Sequence, residues 1–178
     1  TLGVPFSQAD ALAVELGVAG DDPQRIEAAL IFELEHNADN GHVFLPRGKL
    51  LEATGALIGL PPADLEHGLD GLIELGEVVR EEIAGVDACY PAGLYSAECY
   101  VAMRLAEMCR TEIAQPKNLG RLIDAIQKEQ GIVYAGEQRR AVELAASRQV
   151  MLLTGGPGTG KTTSLRGVLA LFDQLGLE

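Results

Sequence analysis

Eight consecutive residues, Gly155-Gly156-Pro157-Gly158-Thr159-Gly160-Lys161-Thr162, carry the most specific chemistry in the chain. They fit the pattern of a glycine, four free positions, then Gly-Lys-Ser/Thr, which forms a phosphate-binding loop between a strand and a helix. The flanks agree. An apolar strand is expected over Gln149–Thr154 and a helix over Ser164–Leu175. Glycines let successive backbone N–H groups curl around an anion where side chains would obstruct it. The helix N-terminus adds free N–H groups and the positive end of its dipole. Gly155, Gly156, Pro157, Gly158, Thr159 and Gly160 are therefore expected to cradle a triphosphate. Lys161 is expected on the β- and γ-phosphates and Thr162 as a Mg²⁺ ligand, these two being the candidate catalytic residues; Thr163 is expected to support the α-phosphate side.

Gln138 precedes Gly155 by 17 residues, at the start of the helix before the loop's strand. A glutamine amide can pair with both N6 and N7 of adenine. Upstream of such a loop it would select ATP over GTP, whereas alone it would read as a solvated polar residue. Arg139 and Arg140 read as surface charges.

Placing these residues requires a run of short elements. A helix is expected over Ser7–Leu16 with Ser7 as its cap, after a turn at Gly3-Val4-Pro5. A second opens at Asp22-Pro23, Asp22 capping and Pro23 in the first position, with Ile26, Ala29, Leu30, Phe32 and Leu34 turned inward to about Asn37. A short strand over Gly41–Pro46 precedes helices at Arg47–Ile58 and Pro62–Leu75. Val78-Val79 then pairs with Ala88–Tyr90 around a Gly85-Val86-Asp87 turn. Helix, strand, helix, helix, hairpin is the order of a winged-helix unit. A long helix, Tyr95 to about Glu112, would turn Val101, Leu105 and Met108 inward. Helices at Leu119–Gln130 and from Gly136-Glu137 through Ala146 lead to the loop. A boundary is expected near Pro91–Leu94.

Charge is divided unevenly. Of the net charge of −12, residues 1–95 hold 17 Asp/Glu against 4 Lys/Arg (−13), and residues 96–178 hold 9 against 10 (+1). Phosphate contacts need Lys and Arg, so the front half is not expected to grip DNA by charge. It faces a protein partner or solvent. At 4% aromatic residues and no Trp, no base-stacking platform is visible. Cys89, Cys99 and Cys109, ten residues apart, fit neither a disulfide framework nor a CxxC metal site, and read as reduced thiols of a cytoplasmic protein. His36, His42 and His67 share no ligand spacing. No run of roughly 20 apolar residues suggests a membrane span.

The stretch GIVYAGEQRRAVELAASRQVMLLTGGPGTGKTTSLRGVL resembles the opening of the motor in RecD-like superfamily 1 DNA helicases, where a glutamine motif precedes a TGGPGTGKTT loop. GVPFSQADALAVELGV resembles the second half of a helix-hairpin-helix element ahead of that motor. GHVFLPRGKLLEATGALIGL, LEHGLDGLIELGEVV and YPAGLYSAECYVAMRLAEM resemble the connecting segments, in family order and in the stand-alone form. The TGGPGTGKTT block by itself is shared with conjugative relaxase-helicases. One departure stands out: a DNA-binding hairpin of this kind reads Gly-hydrophobic-Gly, and Pro5 in the third position has no N–H to offer a phosphate.

The resemblance implies an α/β chain. A mostly helical accessory region, 1–94, combines a helix-hairpin-helix remnant with the winged-helix-like unit, and 95–178 begin a RecA-like ATPase domain. It implies ATP and Mg²⁺ as cofactors and 5′-to-3′ translocation on single-stranded DNA. The acidic Mg²⁺ motif, arginine fingers and second motor domain are expected beyond Glu178. The competing readings are another P-loop ATPase, of AAA+ type, and a non-enzymatic winged-helix adaptor with a vestigial loop.

Overall fold

The computed structural model describes residues 4–177. It divides into two compact units, Thr1–Tyr100 and Val101–Glu178.

The first unit is built from α1 (Phe6–Glu15), α2 (Pro23–Asp39), β1 (Leu45–Pro46), α3 (Arg47–Ile58), α4 (Pro62–Glu74), β2 (Val78–Ile83) and β3 (Val86–Pro91), followed by the start of α5 (Ala92–Arg110). The strands form one antiparallel sheet in the order β1-β3-β2, with Leu45 opposite Cys89 and Val79 opposite Tyr90. This is the expected winged-helix arrangement. Its core is aliphatic. Leu30 of α2, Leu50 of α3, and Leu65 and Leu69 of α4 are fully buried, with Val78 and Cys89 closing the sheet side. Gly68 lets α4 approach α2, since a Cβ there would lie 2.6 Å from Ile26 Cγ2.

Asp22 caps α2 as expected, its Oδ1 accepting from the Gln24 N–H at 2.9 Å, with Pro23 in the first turn. Ile26, Ala29, Leu30 and Leu34 line the buried face, while Phe32 lies off it and stacks between Phe6 and His36. Arg25 joins three segments: its guanidinium holds both Asp10 oxygens, at 2.7 and 2.9 Å, and donates to the carbonyls of Gly20 and Ile58.

Four local expectations are corrected. Ser7 does not cap α1. The helix starts one residue earlier, with Pro5 as its cap, and the Pro5 carbonyl accepts from Gln8 and Ala9 N–H. The turn expected at Gly3-Val4-Pro5 begins outside the described residues. The strand expected over 41–46 shrinks to Leu45–Pro46, because Gly41 and His42 N–H close the C-terminus of α2 on Ala38 and Asn37 carbonyls. The hairpin turns on Ala84-Gly85 rather than Gly85-Val86-Asp87. Both residues have positive φ, 50° and 80°, as a two-residue turn with the right twist requires. Finally, α5 does not bury Val101, Leu105 and Met108. Val101 and Leu105 are exposed and Met108 is half-buried. Helical spacing of apolar residues marks a face without supplying what covers it.

The second unit contains the rest of α5, α6 (Leu119–Gln130), α7 (Gly136–Ala145) and α8 (Lys161–Leu175). Ile123 and Ile126 of α6, Val142 of α7, Val168 and Leu171 of α8 and Tyr134 form its core. Gly131, at φ 65°, closes α6 in the left-handed conformation. The strand expected over Gln149–Thr154 is an extended segment without a ladder, and Leu152 is 88% exposed. A strand exists by pairing. Among the described residues of this unit only the isolated bridge between Glu112 and Arg148 lies near it. Among the described residues, no helix is long and apolar enough to cross a membrane.

Leu69→Ala should destabilise the first unit by about 2–5 kcal/mol, the range for a buried leucine that leaves a cavity. Leu75→Ala, at a side chain 72% exposed, should change it by less than about 0.5 kcal/mol; urea melts of the two variants measure the difference. The cysteines give an independent check. Burial pushes the Cys89 thiol up to about 11, and alkylation requires the thiolate. At pH 8, iodoacetamide should label the exposed Cys99 and Cys109 and reach Cys89 only after unfolding.

Candidate functional site

The glycine loop, Gly155–Gly160, joins the extended segment to α8. Gly158 and Gly160 have φ of 75° and 81°, conformations that L side chains rarely adopt. Gly160 caps α8, and its carbonyl accepts from the Ser164 N–H at 2.9 Å and the Ser164 hydroxyl at 3.2 Å. Ser164 is thereby buried and satisfied. Lys161, Thr162 and Thr163 form the first turn of α8, the stretch of a helix whose N–H groups have no intrahelical acceptor.

Lys161 turns back over the loop. Its Nζ donates to the Gly155 carbonyl and, at 2.6 Å, to the Gly156 carbonyl. The Thr159 hydroxyl donates to the same Gly156 carbonyl at 2.9 Å. A Cβ on Gly155 would lie 2.7 Å from Thr159 Oγ1, so this corner closes only around glycine. The ammonium thus lies inside the loop's curl. Thr162 is exposed, whereas Thr163 lines a cleft of about 490 Å³ with Gln130, Ile132, Arg166 and Asp173.

Gln138 comes to the loop. Its Oε1 accepts from the Ala135 N–H at 2.9 Å, a glutamine reaching back to the N-terminus of its own helix. That bond points Nε2 at Gly160, where a Cβ would lie 2.1 Å from it. Gln138 and the loop's last glycine, 22 residues apart in sequence (138 to 160), therefore meet. Arg139 is engaged elsewhere, pairing with Asp124 at 2.7 Å and Glu143 at 3.1 Å, and Arg140 is exposed. Hydrogen bonding to Asp124 raises the Arg139 pKa further.

Sequence reasoning missed the residues that seat α8. A Cβ on Gly167 would lie 2.3 Å from Tyr134 Oη and 3.0 Å from Val142 Cγ2. Tyr134 is fixed in turn, its backbone N–H donating to Gln127 Oε1 at 2.7 Å and its hydroxyl to Gln130 Oε1 at 3.2 Å. Desolvation raises the Tyr134 pKa. The available signal was a glycine in mid-helix, which weakens the helix unless another group approaches closely.

The loop fits a nucleoside triphosphate with magnesium: left-handed glycines, a cap without Cβ, an ammonium inside the curl and an exposed hydroxyl on the first turn. Among the described residues no cluster of His, Cys, Asp or Glu could hold a metal by itself.

Comparison with known proteins gives the same picture. A family model described as the HHH domain of ATP-dependent RecD2 DNA helicase matches residues 1–44, and one described as an AAA domain matches 138–178. The ATP-dependent RecD2 DNA helicase of Deinococcus radiodurans is 31% identical over 185 residues, covering 99% of this chain and 26% of that protein. The RecBCD enzyme subunit RecD of Mycobacterium tuberculosis is 66% identical over 35 residues, and that of Mycolicibacterium smegmatis 57% over 36; each covers 20% of this chain and 6% of the relative. The chain thus spans about a quarter of the RecD2 helicase.

Gly160→Ala should destabilise α8 by about 1–3 kcal/mol, through its left-handed φ and the collision with Gln138. In a Gln138→Ala background that cost should fall by about 1 kcal/mol, the part due to contact. Hydrogen exchange of the α8 amides in the four-member cycle reads this; equal costs in both backgrounds would show that the two residues do not touch.

Proposed function

We infer that the chain is the N-terminal region of a RecD-like helicase and that its loop binds ATP with magnesium. On this reading residues 1–94 are an accessory region and 95–178 open the first motor domain. The observation that carries it is the meeting of Gln138 with Gly160 at the mouth of the glycine curl. An AAA+ remodeller would share the curl but not a glutamine held against it.

The chain's own residues do the following. Lys161 releases the Gly155 and Gly156 carbonyls and transfers its ammonium to the β- and γ-phosphates, so nucleotide replaces a bond already inside the loop. Backbone N–H groups of the Gly155–Gly160 loop donate to the β-phosphate oxygens, and Thr163 supports the α-phosphate side. Thr162 offers its hydroxyl to Mg²⁺. When bound, magnesium neutralises charge on the transferred phosphoryl group. Gln138, its Oε1 fixed by Ala135, presents the amide edge that reads adenine. The groups that complete hydrolysis belong to further parts of the longer protein, which acts in the cytoplasm and moves 5′-to-3′ on single-stranded DNA.

In the longer protein, single-stranded DNA should stimulate ATP hydrolysis, and Lys161→Ala should lower the stimulated rate by about 100-fold or more, since charge stabilisation of the phosphates is lost. Gln138→Ala should narrow the preference for ATP over GTP. An ATPase indifferent to DNA would remove the helicase reading. No ATP hydrolysis, with the protein's function untouched by Lys161→Ala, would leave a winged-helix adaptor instead.

A further inference from the structure

The first unit holds a groove of about 540 Å³ between the C-terminal half of α2 and the junction of β3 with α5. Ile31, Leu34, Ala38, Val78, Pro91 and Leu94 give it an apolar floor. Three carboxylates, Glu35, Asp39 and Glu77, stand at its edge, all exposed, and no Lys or Arg lines it.

Among the described residues, no Lys or Arg of the unit pairs with these carboxylates. Of the 4 Lys/Arg in residues 1–95, Arg25 is held by Asp10, Arg47 by Glu66 and Asp70, and Arg80 by Asp87. Lys49 remains, on α3, outside the groove lining. Among the described residues Glu35, Asp39 and Glu77 form no ion pair, and they do not gather into a cluster able to hold a metal. Separate carboxylates around an apolar floor complement separate ammonium or guanidinium groups flanking aliphatic side chains. Nucleic acid is excluded by like charge.

We propose that this groove docks a basic amphipathic segment of a partner protein, its aliphatic residues on Ile31, Pro91 and Leu94 and its Lys or Arg side chains on Glu35, Asp39 and Glu77. Burial of the aliphatic face supplies the affinity, and the three exposed pairs supply selection and a salt-dependent on-rate. The groove belongs to the first unit and the glycine loop to the second, so this inference is independent of nucleotide binding.

The probe is a fluorescein-labelled 14-residue peptide of leucine and lysine in helical amphipathic order, followed by anisotropy on this chain and on the longer protein. It should bind saturably, more weakly as salt is raised. A scrambled peptide of the same composition, lacking an apolar face, should bind at least about tenfold more weakly. The triple variant Glu35→Gln, Asp39→Asn, Glu77→Gln should weaken binding about tenfold, as three exposed pairs predict. A control triple carrying the same charge change, Glu52→Gln, Glu81→Gln, Glu82→Gln, should stay within about twofold. Ala38→Trp, checked for folding by circular dichroism, should fill the groove and abolish binding. Equal loss in the control triple, or equal binding of the scrambled peptide, would reduce the effect to general acidity and overturn the proposal. So would failure of the longer protein to bind, which would mean its own chain covers the groove. A concentration-dependent dimer abolished by Ala38→Trp would overturn it too, the occupant then being a second copy.

Discussion

Missing Cβ atoms at two points on α8 set the geometry of the second unit. At Gly160 the amide of Gln138 occupies the space a side chain would need, and at Gly167 the Tyr134 ring does the same. Both intruding groups come from one short stretch, the leader and first turn of α7. The first contact fixes the helix's N-terminal end and the second its middle, so α8 can neither slide nor rotate without losing one of them. Val142, Ile123 and Ile126 then fill the volume behind. The loop's shape follows from this seating, because its last residue is also the helix cap. The chemistry proposed for Lys161 and Thr162 thus depends on how Gln138 and Tyr134 seat the helix.

The first unit reaches its fold by a different route and presents a different surface. Aliphatic packing of α2, α3 and α4 against a small sheet gives the winged-helix shape. Yet α4 carries Asp64, Glu66, Asp70 and Glu74 and no Lys or Arg, and Arg47 is bound between two of those acids. A shape often associated with DNA is thus clothed in charge that repels it. Fold and partner are separate questions.

What was legible in the sequence follows from the range of the forces involved. Helix starts and stops set by local chemistry were readable: Asp22-Pro23 opening α2, Gly131 closing α6, Pro62 opening α4. The loop was readable because its glycines serve a backbone conformation. The errors came where a distant or absent neighbour decides. Among the described residues, Gln149–Thr154 has the composition of a strand but no ladder partner, and the apolar side of α5 has spacing but no cover. Ser7 lost the cap to Pro5, two residues earlier, where the helix starts without a side-chain cap bond. At the site, Gln138 was singled out for its chemistry, whereas its contact with Gly160 needed three dimensions, as did the pairing of Gly167 with Tyr134.

The hairpin tip leaves some slack in the fold. Ala84 is, among the described residues, the one non-glycine residue with positive φ, a conformation costing roughly 1–2 kcal/mol for an L side chain. Nothing in the sheet register demands alanine there. The chain therefore carries a small, removable strain far from any buried contact, and a glycine or asparagine at that tip is the route by which evolution or an engineer could stiffen the first unit without disturbing a core residue.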